Sequence, residues 1–171
     1  DRGYEFFVSQ ILIQPFESSL NLQIEKFFTQ GDWPEFLDLF SNQLGLLGVV
    51  GPERESRLYK SGLENLIEGL SFESQKELRS IIRDFEDLDS RLEKFKGKIF
   101  KDDRIQVFIG RKSPITESPE LALVAEKCWT DGEEVLLMAI GPKRMNYRKV
   151  VKTFKGIRDL NQKHEPGKSK S

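Results

Sequence analysis

The sequence predicts an α+β fold, in which a shortened antiparallel sheet of about three to five strands is packed with helices and preceded by N-terminal helices. Apolar residues recur at helical spacing through much of residues 4–97, whereas apolar runs of strand length follow between residues 105 and 140. An Asp-Gly pair at positions 131 and 132 separates two of these runs, as in a tight hairpin. Helices come first and paired strands later, an order typical of this class.

Residues 4–30 are expected to form two helices. Their apolar positions follow a helical repeat, and Pro15 is expected to interrupt it because proline lacks the amide donor that a helix interior needs. A third helix is expected to begin at Asp32, a candidate N-cap, and to end at Gly48. The short apolar pair Val49-Val50 follows this helix.

One long helix is expected from the capping box Ser74-Gln75-Lys76-Glu77 to a point near Gly97. Two sets of apolar residues keep a sevenfold spacing along it: Leu78, Phe85 and Leu92, and Ile81, Leu88 and Phe95. This spacing fits either a coiled-coil seam between two chains or a helix that lies across its own sheet. Because coiled coils usually sustain three or four heptads, packing within the chain is favoured.

The same helix carries a run of carboxylates that raises the question of a metal site: Asp84, Glu86, Asp87 and Asp89. Basic residues of the helix lie close to them in sequence, namely Arg83, Arg91 and Lys94. Ion pairs on a solvated helix face explain this pattern more simply than a bound cation does. We therefore expect the run to be exposed and no metal to be bound.

Three strands are expected, at Ile105–Ile109, Leu121–Trp129 and Glu133–Ile140, with a further strand at Leu58-Tyr59. The last two of the three are expected to pair antiparallel through the Asp-Gly turn. Cys128 is the only cysteine of the chain, so no disulfide framework is possible. Its position in an apolar strand predicts a small buried side chain.

Seven residues, Gly141-Pro142-Lys143-Arg144-Met145-Asn146-Tyr147, close the last apolar run and open an amphipathic basic helix. Gly-Pro ends the strand, and Asn146 is a candidate cap of the helix that begins at Tyr147. The segment resembles the Gly-Pro-Thr-Arg-Met-Asp-Tyr signature of HrcA-type heat-inducible transcription repressors, and five of the seven positions agree. The shared residues are predicted to be structural: Tyr147 and Met145 would pack inward, and Arg144 would hydrogen-bond carbonyls freed at the strand's end.

Further segments are similar to the same family and occur in the same order, namely residues 1–8, 57–66 and 105–110. Two departures stand out. The turn Gly110-Arg111-Lys112-Ser113 is basic where the family has Gly-Glu-Glu-Asn. The family also carries a long dimerising insertion, in place of which this chain has only Val49 to Ser56.

The resemblance implies a domain organisation. Residues 1–14 would form a hinge helix that follows a winged-helix domain absent from this chain, and residues 15–163 a GAF-like C-terminal domain. Residues 164–171 would form a disordered basic tail.

The resemblance also implies a function. The chain would be the effector and dimerisation region of a cytoplasmic heat-shock repressor that negatively regulates chaperone genes. Its implied partners are operator DNA, reached through the winged helix, a chaperonin, and a second copy in a homodimer. The alternative is a GAF-like small-molecule sensor, which would need a polar-lined pocket in the sheet.

Composition and motifs favour a binding protein over an enzyme. With 37% hydrophobic residues, 32% charged residues and a net charge of −1, no segment is typical of a membrane span. The single histidine, His164, lies in the charged tail, where nothing would orient it as a base or ligand. No phosphate-binding loop, dinucleotide fingerprint or nucleophile elbow is present, and no cofactor is expected.

Charge is unevenly distributed along the chain. Residues 143–171 hold ten basic and two acidic side chains, and helical projection places five of the basic residues opposite the apolar face: Arg148, Lys149, Lys152, Lys155 and Lys163. The first four are candidates for auxiliary contacts with DNA phosphates or with an acidic partner. A solvated helix face is the simpler interpretation and is favoured.

Overall fold

The computed structural model describes residues 2–13, 20–55, 57–71, 74–99, 104–130 and 132–164. Its elements, in chain order, are α1 (Arg2–Ile13), α2 (Leu22–Gln30), α3 (Trp33–Leu44), β1 (Leu47–Pro52), β2 (Tyr59–Ser61), α4 (Leu63–Glu68), α5 (Gln75–Glu86), α6 (Leu88–Ile99), β3 (Gln106–Ile109), a 3-10 turn (Gly110–Lys112), β4 (Leu121–Thr130), β5 (Glu133–Pro142) and α7 (Tyr147–His164). The predictions for Pro15, Asp131 and residues 165–171 lie outside the described residues.

The strands form one antiparallel sheet in the order β2-β1-β5-β4-β3. The predicted hairpin is confirmed, because β4 and β5 pair along their whole length, from Leu121 opposite Pro142 to Thr130 opposite Glu133. The Val49-Val50 pair, for which no strand was predicted, belongs to β1, which pairs with β5. The α+β prediction is thus confirmed, with five strands in the described part of the chain.

Helices cover both faces of the sheet. Helices α1, α2, α3 and α7 pack on one face, where strand residues such as Val124 and Cys128 point toward them. Helices α4, α5 and α6 pack on the other face, against alternate residues such as Leu123 and Ala125. This alternation places every second residue of β4 in each of the two cores. Cys128 is buried, as predicted.

The N-terminal helices follow the predicted order, and their ends have local causes. At the start of α2, Asn21 accepts a hydrogen bond from the amide of Gln23, and at its end Gly31 adopts φ 70°. Asp32 occupies the N-cap position of α3, although its side chain makes no capping hydrogen bond. No helix in the described ranges is long and apolar enough to cross a membrane.

The helix expected from Ser74 to Gly97 is instead two helices, α5 and α6, which break at Asp87. The Asp87 amide donates to the carbonyls of Arg83 and Phe85 at this point. The prediction of one continuous helix was therefore wrong. The predicted packing within the chain is confirmed, because three residues of the sevenfold pattern are buried against the sheet: Ile81, Leu88 and Leu92.

Candidate functional site

The turn between β5 and α7, which holds the seven-residue signature, is the first candidate. At its start a Cβ atom on Gly141 would overlap the side chain of Leu46 and crowd Met145, so only glycine fits without a shift. The Met145 amide donates to the carbonyl of Pro142 at 2.8 Å, and the Lys143 amide donates to the carbonyl of Glu120 at 2.8 Å. The first bond closes the turn, and the second holds it against the loop that precedes β4.

Tyr147 anchors the start of α7. Its ring lies in the core, and its hydroxyl donates to the carbonyl of Lys143 at 2.6 Å. Burial raises the pKa of this hydroxyl above its usual value, and the proximity of Tyr4 adds to the shift. Asn146 accepts a hydrogen bond from the Lys149 amide at 3.2 Å, as expected of a cap.

Two other signature side chains differ in position. Met145 is buried beneath the turn. Arg144 is exposed, and among the described residues it donates to no carbonyl, which departs from the expectation for this residue. The strand-end carbonyl of Pro142 already accepts a hydrogen bond from the Met145 amide. The sequence therefore predicted the buried signature residues, Met145 and Tyr147, more accurately than the exposed Arg144.

A cavity of about 470 Å³ adjoins the signature turn. Pro142, Lys143 and Arg144 form one wall, and serines from three other segments form part of the rest: Ser71, Ser80 and Ser118. The cavity is an open groove beside the sheet. The void that lies under the sheet itself, between Leu47 and Leu88, measures only about 10 Å³ and is mostly apolar. Neither of these two cavities is the polar pocket in the sheet that a small-molecule sensor requires.

The carboxylate run is not uniformly exposed, which corrects the prediction for Asp84. This side chain is buried and accepts hydrogen bonds from Arg91 and from the amides of Glu117 and Ser118 at 2.9 and 3.0 Å. Arg91 also donates to the carbonyl of Ile115 at 3.2 Å. The buried pair therefore ties the loop before β4 to α5 and α6.

The spacing of Asp84 contained a signal for this burial. It follows Ile81 by three residues and precedes Leu88 by four, which places it on the apolar side of the helix. The neighbouring carboxylates behave as expected, because Asp87 pairs with Arg91 and Asp89 pairs with Lys60 at the surface. No group of residues suited to a metal ion occurs in the part of the chain that the structure describes.

The basic turn after β3 contacts α1. Lys112 Nζ lies 2.7 and 2.8 Å from the carboxylate oxygens of Glu5, so the exchange of acidic for basic residues in this turn creates an ion pair. Lys155 of α7 donates to the carbonyl of Leu12 at 3.0 Å and is half-buried. Lys155 therefore does not belong to the outward basic face, on which Arg148, Lys149 and Lys152 are exposed.

Glu126 on β4 is a buried acidic residue that sequence reasoning missed. Its side chain is 2% exposed, and neither carboxylate oxygen has a hydrogen-bond partner. Arg158 Nε of α7 lies 3.8 Å from Oε1. Burial raises the pKa of this carboxyl to about 8; Arg158 opposes the shift and Asp159 adds to it. The strand alternation could have revealed this position, because Glu126 shares the face of Val124 and Cys128.

Comparison with known families shows to which family this chain belongs. The family model described as "HrcA protein C terminal domain" matches residues 17–151. The chain belongs to the HrcA family. Its domain is accordingly GAF-like, and the family is one of transcription repressors. The match includes the signature turn, Asp84 and Glu126, whereas α1 precedes it.

Individual HrcA relatives match shorter stretches. The heat-inducible transcription repressor HrcA of Thermodesulfovibrio yellowstonii is 27% identical over 95 residues, which are 55% of this chain and 27% of the relative. The protein of the same name from Desulfitobacterium hafniense is 26% identical over 117 residues, which are 66% of this chain and 33% of the relative. The chain thus spans about a third or less of these curated relatives.

A solved structure described as a hypothetical protein at 2.2 Å resolution aligns with a TM-score of 0.46 and 21% identity. It covers 64% of this HrcA-family chain and 32% of its own.

Proposed function

We propose that this chain is the effector and dimerisation region of a heat-inducible repressor that negatively regulates chaperone genes. The match of residues 17–151 to the HrcA C-terminal domain carries the proposal. The relatives that share this region are named heat-inducible transcription repressors. The matched stretch is only 27% to 33% of their length, so operator recognition is assigned to a winged-helix domain outside residues 1–171.

The contacts of α1 support a domain organisation that we propose for this chain. Residues 1–14 would form the hinge helix from the DNA-binding domain, residues 15–163 the GAF-like domain, and residues 164–171 a basic tail. Support comes from the inner face of α1, where Val8 and Ile11 are buried and Glu5 is paired with Lys112. A hinge helix fixed in this way would transmit the position of the GAF-like domain to the DNA-binding domain.

The proposed regulation acts through folding in the cytoplasm. A two-fold dimer presents two DNA-reading domains at half-site spacing, so loss of the fold or of the dimer releases the operator. The chaperonin would maintain the folded repressor, and heat would divert the chaperonin to other clients. Glu126 supports this proposal, because a buried carboxyl without a hydrogen-bond partner lowers the stability of the domain.

A genetic experiment tests the proposed function. Deletion of the gene should raise chaperone transcripts at the normal growth temperature, and its return in trans should restore repression. Unchanged chaperone transcripts in the deletion strain would contradict the proposal.

Biochemistry then tests the role of folding. The complete gene product should bind an inverted-repeat operator in the presence of chaperonin and ATP and lose binding when unfolded client protein competes for the chaperonin. If operator binding is unchanged by the chaperonin and by the competing client protein, the chaperonin has no part in the regulation.

A further inference from the structure

The groove of about 470 Å³ beside the signature turn is large enough to hold a small organic molecule. Four segments meet there: the residues that follow α4, the first half of α5, the loop before β4 and the turn between β5 and α7. Pockets that bind such molecules measure roughly 300 to 1,000 Å³ and combine apolar walls with a few polar groups. The groove has both kinds of lining.

Arg144 supplies a positive charge in the wall of the groove. Among the described residues that line it, Arg144 is the one cation whose side chain has no partner, because Lys143 Nζ lies 4.0 Å from the Glu120 carboxylate. A guanidinium group presents paired N–H donors that match the two oxygens of a carboxylate. Arg144 is therefore available to an anionic group that enters the groove.

Two serine hydroxyls add hydrogen-bond donors to the same lining. Ser118 is 4% exposed, and its Oγ accepts a hydrogen bond from the Glu120 amide at 3.3 Å. In the part of the chain that the structure describes, its hydroxyl proton has no acceptor, and the half-buried Ser80 of α5 makes no side-chain hydrogen bond. Polar groups that leave water need partners, so these donors favour a ligand group with acceptor oxygens.

The remaining charges of the lining limit how much negative charge a ligand can carry. Two acidic residues, Glu77 and Glu120, balance the two basic ones. Their carboxylates would repel a second or third negative charge, as in a diphosphate. The rest of the wall includes four apolar side chains: Leu70, Ile81, Pro119 and Pro142.

We propose that this groove binds a small monocarboxylic acid with an apolar body. Its carboxylate pairs with Arg144 and accepts hydrogen bonds from Ser80 and Ser118, and its apolar body lies against Leu70 and Ile81. The site is beside the sheet and is separate from the small void under the sheet. The inference goes beyond the proposed function and does not depend on it, because it follows from the groove alone.

Isothermal titration of the 171-residue chain with 2-naphthoate, octanoate and the neutral 2-naphthamide tests the role of the charge. 2-Naphthoate and 2-naphthamide share the same ring system and differ in the charge of one group. Both carboxylates should bind saturably at one site, and 2-naphthamide should bind more weakly than 2-naphthoate by about tenfold or more. Absence of saturable binding by both carboxylates, or equal affinities for 2-naphthoate and 2-naphthamide, would overturn the proposal.

Substitution of Arg144 tests the position of the site. Arg144→Met keeps an unbranched side chain and removes the charge, so it should weaken 2-naphthoate binding by about tenfold or more and leave 2-naphthamide binding unchanged. Arg144→Lys should give an intermediate loss, because the charge remains and the paired donors are lost. Arg148→Met is the matched control, since Arg148 is exposed on α7 outside the groove and its replacement should leave the affinity unchanged. Retained affinity in Arg144→Met, or equal losses in Arg144→Met and Arg148→Met, would contradict the assignment.

Two further measurements separate binding from folding. Without ligand, both methionine variants should melt at the wild-type temperature, because both arginines are exposed. Saturating 2-naphthoate should raise the melting temperature of the wild type and of Arg148→Met, but not that of Arg144→Met. In methyl NMR spectra, 2-naphthoate should shift the signals of Leu70 and Ile81 in the groove and not that of Val124 on the other face of the sheet. Shifts confined to residues outside the groove would place the carboxylate elsewhere and overturn the proposal.

Discussion

Two buried polar groups lie where α7 packs on the sheet, and they differ in charge and in hydrogen bonding. At the N-terminal end, the Tyr147 hydroxyl is neutral and donates to the Lys143 carbonyl at 2.6 Å. Toward the C-terminal end, the Glu126 carboxyl is ionisable, and neither of its oxygens has a hydrogen-bond partner. Arg158 Nε, 3.8 Å from Oε1, is too distant to supply such a bond.

This difference indicates which end of α7 contributes more to the stability of the domain. A buried polar group that has a hydrogen-bond partner lowers the stability little and fixes the local geometry. A buried polar group without a partner lowers the stability by its full desolvation free energy. We infer that the signature turn is the stable end of the contact between helix and sheet. The Glu126 end is the point at which the helix would release first.

The largest expected effect is at Tyr147. Tyr147→Ala should lower the free energy of unfolding by about 3 to 5 kcal/mol, because it removes a fully buried ring and leaves a cavity under the turn. Thermal or urea unfolding followed by circular dichroism measures this loss.

Arg148→Ala is the control for this change. Its side chain is exposed on the next position of α7, so the free energy of unfolding should change by less than about 0.5 kcal/mol. Similar small losses in both variants would show that the signature serves partner binding rather than the fold.

The next effect has the opposite sign. Glu126→Gln should stabilise the domain at pH 7 by on the order of 3 kcal/mol, because the native state must otherwise keep a proton on Glu126 that the unfolded chain has released. The pKa of about 8 in the folded state lies above the unfolded value. Stability of the wild type therefore falls as pH rises from about 4.5 to about 8, and this fall should be absent from the variant.

Urea unfolding between pH 4 and pH 9 measures that difference against Glu93→Gln. Glu93 is exposed on α6, so its replacement removes one carboxylate without altering the buried site. The stability curves of this control and the wild type should run parallel. A Glu126→Gln curve parallel to them as well would mean that Glu126 is hydrated or paired in solution.

The two ends of α7 also differed in how well the sequence predicted them. Tyr147 lies on the apolar face of an amphipathic helix, next to turn residues with fixed geometry, so its inward position was predicted from its spacing together with the family resemblance. Glu126 breaks the apolar pattern of β4, and a charged residue is expected at the surface unless the strand is covered on both faces. That coverage is a tertiary property, and composition does not reveal it.

Other features that the sequence did not predict also depend on tertiary contacts. Strand β1 contains two glycines and a proline around Val49-Val50, a composition typical of a loop until the pairing with β5 is known. No proline or glycine near Asp87 indicates a break in the helix. Asp84 and Arg91 pair inside the fold because the loop at residues 113–118 closes over them, a contact that local sequence does not encode.

A smaller effect isolates the hydrogen bond from the ring. Tyr147→Phe keeps the packing and removes only the donor to the Lys143 carbonyl, so it should cost about 1 kcal/mol. Comparison with Tyr147→Ala separates the two contributions in the same unfolding experiment. A loss as large as that of the alanine variant would show that the hydroxyl, rather than the ring, fixes the turn.

The smallest effect concerns the outer side of α7, where Arg148, Lys149 and Lys152 face solvent. The isolated chain should bind operator and scrambled duplexes equally and weakly, because phosphate contacts from a helix surface carry no sequence information. Fluorescence anisotropy at increasing salt measures this binding. Lys149→Ala with Lys152→Ala should reduce the slope of log K against log salt by about 0.9 for each phosphate that is no longer neutralised. A preference for the operator that persists at physiological salt would show that residues 1–171 recognise the DNA sequence directly. The outer face of α7 would then contribute to sequence recognition, whereas its buried face contributes to stability.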